Sequence, residues 1–180
     1  MLIDKEQSAL LVIDIQERLL PVMHDPDMVV ENTRRLIKGA SILGVGVLAS
    51  EQYPNGLGHL VEPITSLLGD SAVQEKDTFS CMADERFAKH FNALNKTQAV
   101  ICGIEAHVCV LQTTIELISS GVKVFVVADA TSSRTAGNHI MGMDRAKSAG
   151  AEIVTTEMVL FEWLRRAGTP QFKEISKLVK

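Results

Sequence analysis

Three residues with reactive side chains stand at or just beyond the ends of short apolar segments. Asp14 closes "ALLVID", Lys76 closes "AVQEK", and Cys109 follows "AVICGI". A cysteine reacts as its thiolate, which a nearby cation and a helix N-terminus both favour. A carboxylate within hydrogen-bond reach can accept the thiol proton and later deliver it to a leaving group. If these side chains meet in the fold, they predict acyl transfer with a cysteine nucleophile.

The same residues also have structural interpretations, which the sequence leaves open. Ionised side chains are seldom buried without a partner, so Asp14 and Lys76 can be a structural ion pair. Asp14 can also cap the turn into "QERLLP". Cys109 can be a small apolar residue on the inner face of a helix. The choice depends on the elements that position the three side chains.

Strand-like and helix-like segments alternate along the whole chain. Apolar runs that are typical of buried strands cover residues 9–14, 45–50, 72–76, 99–104, 123–129 and 152–156. Helical periodicity covers residues 28–44, 84–94, 109–121 and 139–150. This alternation predicts an α/β fold: a doubly wound, mostly parallel six-stranded sheet with helices on both faces, in three α/β/α layers.

Ligands of such sheets bind beyond the carboxyl ends of the strands, where the strand order reverses. Several polar residues stand at this position in the predicted sheet. Asp14 ends the first strand, Glu51 and Tyr53 follow the second, Lys76 ends the third, and the Cys109 loop follows the fourth. We therefore expect them at one edge of the sheet.

Length and composition limit the class of protein. The 180 residues, of which 46% are hydrophobic, fit a single domain spanning residues 1–180. A net charge of −4 without a basic cluster argues against nucleic acid or an anionic membrane surface as partner, so a small molecule is expected. Neither a signal peptide nor a membrane span is recognisable, which favours a cytoplasmic location. The three cysteines have no metal-site spacing and are expected to be thiols.

Several segments, in their order along the chain, resemble one family. They are "ALLVIDIQ", "EKDTFSC", "VICGIEAHVCVLQT" and "VVADATSSRT". With them the chain resembles the isochorismatase-like cysteine hydrolases, which include nicotinamidases and carbamoyl-sarcosine amidases. The resemblance implies a catalytic triad of Cys109 as nucleophile, Asp14 as proton shuttle and Lys76 as the cation that holds the thiolate. It also implies a small amide-like substrate cleaved at a C–N bond through a thioester, no cofactor, and a homo-oligomer.

The resemblance adds two backbone features near the nucleophile. It implies a cis peptide bond between Ile104 and Glu105, and an oxyanion hole formed by the N–H groups of Glu105 and Cys109. Isochorismate hydrolysis in this family proceeds without the cysteine nucleophile. The presence of Cys109 therefore argues against isochorismate as the substrate.

The chain departs from the nicotinamidase pattern after the second strand. Nicotinamidases hold a metal there through an acid and two histidines, and the matching residues are Glu51, Tyr53 and His59. Because the middle imidazole is missing and zinc ordinarily needs three protein ligands, we expect no metal. This departure also disfavours nicotinamide as the substrate.

Four residues are candidates for the wall of a substrate pocket. Leu19 follows the first strand in place of an aromatic residue, Tyr53 follows the second, Phe79 lies close to Lys76, and His107 precedes the nucleophile. Three of them also have a structural alternative: Tyr53 and Phe79 can be packing residues, and His107 can be a solvated or capping side chain.

Two functions from different classes remain. The first is a cofactor-free cysteine hydrolase, and the rival is a non-catalytic oligomeric binding or scaffold protein that keeps the fold. Joint retention of Asp14, Lys76 and Cys109 favours the hydrolase. A nucleotide-binding enzyme is excluded, because "DIQERLLP" has no glycine for a phosphate loop after the first strand.

Overall fold

Six parallel strands form one sheet in a computed structural model, which describes residues 1–69 and 72–180. The strands are β1 (Ser8–Ile13), β2 (Gly46–Gln52), β3 (Val73–Lys76), β4 (Gln98–Ile104), β5 (Lys123–Ser132) and β6 (Glu152–Val154). Their order is β3-β2-β1-β4-β5-β6, and every neighbouring pair is parallel. The predicted doubly wound fold class is confirmed.

Eight helices connect and cover the strands in the described part of the chain. They are α1 (Pro26–Leu43), α2 (Pro54–Leu57), α3 (Glu62–Thr65), α4 (Glu85–Ala93), α5 (Leu111–Ser119), α6 (Ala136–Ser148), α7 (Thr156–Leu164) and α8 (Pro170–Leu178). Local sequence fixes several starts, since Asp84, Thr135 and Thr155 accept hydrogen bonds from the first turns of α4, α6 and α7. In the same described residues, no helix combines the length and apolar character needed to cross a bilayer.

Side chains of successive strand residues alternate between two separate cores. Leu10 and Val12 of β1 belong to the core that includes α1, α7 and α8. Leu11 and Ile13 belong to the core that includes α4, α5 and α6. The central strands β1, β4 and β5 are apolar on both faces, which is why the sequence shows continuous apolar runs there instead of alternation.

Strand order reverses between β1 and β4. From β1 the chain builds β2 and β3 on one side, then returns to place β4 on the other side of β1. The two strands approach closely at Gly103, whose φ is 117° and where an added Cβ would lie 2.0 Å from the carbonyl oxygen of Ile13. A glycine is required here by both the backbone conformation and the space. This contact brings the residue after β1 beside the loop after β4.

Several element boundaries differ from the sequence prediction, including two beside the Cys109 loop. The helix expected from residue 109 begins at Leu111 and is preceded by a π-helical turn, Ala106–Val110. Strand β5, expected to end at residue 129, continues to Ser132. Pairing with the end of β4 accounts for the extension, because Thr131 and Ser132 lie opposite Gly103 and Ile104 after a shift in the register.

Candidate active site

A buried ion pair lies at the carboxyl edge of the sheet. Lys76 Nζ donates to Asp14 Oδ2 at 2.8 Å, and both side chains are fully buried. Asp14 follows β1 and Lys76 ends β3, so the lysine reaches past the end of β2 to its partner. A second acceptor, Gln52 Oε1, lies 2.6 Å from Nζ, and the carbonyls of Thr78 and Phe79 are at 3.2 and 3.3 Å. The ammonium is thus held in one position.

The charge state of Lys76 follows from its neighbours. Burial by itself would lower the pKa of the lysine, but the negative charge of Asp14, together with Cys81 and Cys109, outweighs burial and raises the pKa. The lysine is therefore a permanent cation beside the carboxylate. Its position next to two thiols makes it the counter-charge for a thiolate.

The thiol of Cys109 faces this ion pair from the π-helical turn after β4. Cys109 is 5% exposed. Burial raises the pKa of its thiol, and the charge of Asp14 and a hydrogen bond to Asp14 add to the increase, whereas Lys76 acts in the opposite direction. The sequence predicted that a cation and a helix N-terminus would lower this pKa. Burial and Asp14 prevail instead, so the resting thiol is protonated and has a carboxylate acceptor beside it.

Alkylation distinguishes Cys109 from the other two cysteines. We expect iodoacetamide to modify Cys109 first, because Cys81 and Cys102 are completely buried. Because burial raises the pKa of all three thiols, the order of labelling is set by access of the reagent and not by acidity. The labelling rate of Cys109 should increase with pH through the alkaline range, since only its thiolate reacts. Peptide mass spectrometry measures the three rates, and equal slow labelling would contradict this geometry.

Sequence reasoning missed four polar residues that surround the ion pair. Ser50 Oγ donates to Asp14 Oδ1 at 2.7 Å, and Cys81 Sγ lies 3.5 Å from the same hydroxyl. Gln16 accepts from the backbone N–H of Gln52 and donates to its carbonyl, which fixes the residue that holds Lys76. Ser50 and Gln52 stand at the end of β2, so the strand-end rule that selected Glu51 was also the signal for them.

The loop that carries the nucleophile is tied to the loop after β5. The Ile104–Glu105 peptide bond is cis. The buried Glu105 carboxylate pairs with Arg134, with 3.3 Å between Oε1 and Nη2. His107 Nδ1 lies 2.9 Å from Ser133 Oγ. These contacts keep Glu105 and Cys109 at a fixed distance from the end of β5.

The four pocket candidates occupy different environments. Tyr53 and Phe79 are 59% and 55% exposed and flank Lys76, whose carbonyl accepts from Tyr53 N. The alternative of Phe79 as a core residue is therefore wrong. Leu19 is buried in the core on the α1 side. His107 lines a cavity of about 500 Å³ between α5 and α6, together with Leu111.

Glu51 and His59 form a separate pair at the same edge. Glu51 Oε2 lies 3.0 Å from His59 Nδ1, and Oε1 accepts from Leu60 N at 2.7 Å. The hydrogen bond to Glu51, and then its charge, raise the pKa of His59. Among residues 1–69 and 72–180, no three His, Cys, Asp or Glu side chains are grouped so that they could hold a metal ion.

Comparison with known proteins identifies the family of this chain. A family model described as the isochorismatase domain matches residues 8–158. The chain belongs to the isochorismatase family. The family predicted from the sequence segments is thereby confirmed.

Two relatives show how much of the chain this family shares. The chain is 37% identical over 178 residues to the secreted isochorismatase effector Isc1 of Phytophthora sojae, covering 96% of this chain and 84% of that protein. It is 38% identical over 167 residues to isochorismatase domain-containing protein 1 of Danio rerio, covering 93% of this chain and 59% of that protein. The chain thus spans less than two thirds of the length of the zebrafish relative.

Three solved structures of isochorismatase-fold proteins superpose on nearly the whole chain. A MAR1 ribonuclease from Caenorhabditis elegans gives a TM-score of 0.93 at 34% identity, covering 99% of this chain and 92% of that chain. YcaC from Pseudomonas aeruginosa, with hexane-2,5-diol and covalent acrylamide, gives 0.92 at 25% identity, with 98% and 91% covered. YcaC from Escherichia coli, an octameric hydrolase of unknown specificity, gives 0.93 at 26% identity, with 99% and 90% covered.

Proposed function

We propose that this isochorismatase-family protein is a cysteine-dependent hydrolase of small amide-like molecules. The observation that carries the proposal is the fully buried Asp14–Lys76 pair in contact with the thiol of Cys109. A structural ion pair alone does not need a thiol in contact with it. The group lies where the strand order reverses between β1 and β4, which is the usual ligand position in open α/β sheets.

The first chemical step forms a bond between Cys109 Sγ and the amide carbonyl carbon. Asp14 accepts the thiol proton as the sulfur attacks, and Lys76 stabilises the negative charge on the sulfur. Because the resting thiol has a raised pKa, proton transfer to Asp14 accompanies attack instead of preceding it. The carbonyl oxygen takes the electron pair of the broken π bond and becomes the oxyanion.

Backbone N–H groups of Glu105 and Cys109 are the proposed donors to this oxyanion. Donors of this kind are typically worth about 3 kcal/mol each in the transition state. The Glu105–Arg134 ion pair and the His107–Ser133 hydrogen bond support the proposal. They hold in place the loop that contains both N–H groups. Preorganised donors stabilise charge without rearranging during the reaction.

The second half of the reaction releases both products. The tetrahedral species reforms its carbonyl and expels the amine, which takes the proton from Asp14. Water then loses a proton to Asp14 and attacks the thioester carbonyl, so that the S–C bond breaks and the thiol regains its proton. One carboxylate thus acts as acid and base in turn, as in other nucleophilic hydrolases.

Two features of the relatives support a hydrolase with a reactive nucleophile. YcaC of P. aeruginosa carries covalent acrylamide, which nucleophiles attack at its C=C bond, and YcaC of E. coli is described as a hydrolase. The C. elegans relative is named a ribonuclease. The net charge of −4 weighs against an RNA substrate for this chain, because nucleic-acid binding depends on a basic surface.

A panel of small amides tests the proposal. We expect the protein to release ammonia or amine from at least one member, and Cys109→Ala to abolish the release. Cys102→Ala is the matched control, because Cys102 is a buried thiol on the other face of the sheet. If the protein turns over no amide of the panel, and if it cleaves RNA even as Cys109→Ala, the proposed amide hydrolase function is wrong.

We also propose that the protein is a single-domain homo-oligomer in the cytoplasm. In this proposal it binds neither nucleic acid nor a membrane, and it needs no cofactor. Exposed apolar side chains on α6 and α7, including Met141, Met158 and Phe161, support self-association. The relative YcaC from E. coli is octameric, which also supports self-association. Three free cysteines fit a reducing compartment. Light scattering measures the assembly directly.

A further inference from the structure

Ser50 has the most direct contact with Asp14 among residues outside the proposed triad. It lies at the end of β2, where it is fully buried, and its hydroxyl donates to Asp14 Oδ1 at 2.7 Å. Lys76 donates to the other oxygen, Oδ2. The two donors therefore hold the carboxylate from both sides and fix its rotation about the Cβ–Cγ bond.

The neighbour of Ser50 determines which way its hydroxyl points. Cys81 Sγ lies 3.5 Å from Ser50 Oγ, and burial raises the pKa of Cys81 to about 11, so this thiol keeps its proton. A protonated thiol donates to the hydroxyl, whose single proton is then committed to Asp14. The backbone N–H of Cys81 donates to Thr113 Oγ1 at 2.9 Å, which fixes the thiol against α5.

We propose that Ser50 is a positioning residue that acts on Cys109 through Asp14. Its hydroxyl donates to the carboxylate and thereby offsets part of the negative charge that the thiol experiences. This inference rests on the proposed function, in which Asp14 exchanges the proton of Cys109. The titratable groups that face Asp14 are Lys76 from β3, Cys109 from the π-helical turn and Cys81 from the segment before α4.

Loss of the Ser50 hydroxyl should make Cys109 less reactive. The charge of Asp14 raises the pKa of Cys109, and without the Ser50 donor this charge is less compensated. The thiol then releases its proton less readily, so its alkylation slows. Loss of one hydrogen bond to the carboxylate corresponds to an alkylation rate that is about fivefold lower.

A double-mutant cycle with iodoacetamide tests the inference without any substrate. We expect Ser50→Ala to slow alkylation of Cys109 about fivefold at pH 8. Ser50→Thr, which keeps the hydroxyl, should stay within about twofold of the natural protein. In an Asp14→Asn background, Ser50→Ala should change nothing, because the residue through which Ser50 acts has lost its charge.

The controls separate positioning from general loss of structure. Thr33→Val removes a buried hydroxyl on the α1 side of the sheet and should leave the alkylation rate unchanged. Ser50→Gly, which also lacks the hydroxyl, replaces Ser50→Ala if that variant does not fold. Unchanged alkylation in Ser50→Ala, or an equal slowing in the Asp14→Asn background, would overturn the inference. Neither result concerns amide turnover, so failure of the proposed function is recognised separately, by the amide panel.

Discussion

Replacing Asp14 by Asn is expected to slow amide hydrolysis strongly and, at the same time, to make Cys109 easier to alkylate. Turnover should fall by about 10²–10⁴-fold, because the group that takes and returns the proton is lost. Alkylation should accelerate about tenfold, because removing the carboxylate charge leaves Lys76 to lower the pKa of the thiol. The measurements are amine release and the rate of iodoacetamide labelling at pH 8.

The opposite signs of the two effects distinguish a proton shuttle from a structural ion pair. If Asp14 only compensates the charge of Lys76, Asp14→Asn lowers stability and both rates change together through loss of folded protein. Glu51→Gln is the matched control, since Glu51 is a buried carboxylate at the same edge that bonds to His59 and Leu60. It should leave both rates near their natural values. Slower alkylation in Asp14→Asn would contradict the electrostatic account.

Gly103→Ala is expected to cause a large loss of stability. The added Cβ would lie 2.0 Å from the carbonyl oxygen and 2.6 Å from the nitrogen of Ile13, and the φ of 117° is strained for alanine. The neighbouring atoms belong to the backbone of a central strand and cannot move independently. We expect the free energy of unfolding to fall by about 3–5 kcal/mol, measured by urea denaturation.

Gly121→Ala is the matched control for this substitution. Gly121 also has a positive φ, 88°, but an added Cβ would have open space around it. Its cost should therefore be that of the backbone conformation alone, about 1–2 kcal/mol. Equal losses of unfolding free energy in the two variants would mean that the close approach of β4 to β1 contributes nothing to the effect of Gly103→Ala. An intact Gly103→Ala protein with normal alkylation of Cys109 would also contradict the account.

The fold and the centre of the site were predictable because they depend on local patterns. Strands buried on both faces give continuous apolar runs, and the alternation of such runs with helical segments leaves one topology class. Charged or reactive residues directly after those runs, such as Asp14, Lys76 and Cys109, must collect at one edge. That rule needs no knowledge of which strands are neighbours.

The remaining features depend on contacts between distant segments. The pKa of Cys109 had the wrong predicted direction, because sequence reveals the nearby cation but not the degree of burial or the distance to Asp14. The extension of β5 depends on its pairing with the end of β4, where Gly103 lies opposite Thr131 and Ile104 opposite Ser132. Ser50 is a common residue in a strand, and only the pairing of β2 with β1 shows that its hydroxyl reaches Asp14.

In the proposed reaction, the thiol of Cys109 becomes covalently acylated when an amide is cleaved. Acid quenching during turnover of an amide substrate, followed by intact-mass and peptide analysis, detects this acyl group. We expect a mass increase equal to the acyl group, located on the peptide that contains Cys109 and lost in Cys109→Ala. Turnover of an amide with no acyl group on Cys109 at any quench time, or with the group on Cys81 or Cys102, would contradict it.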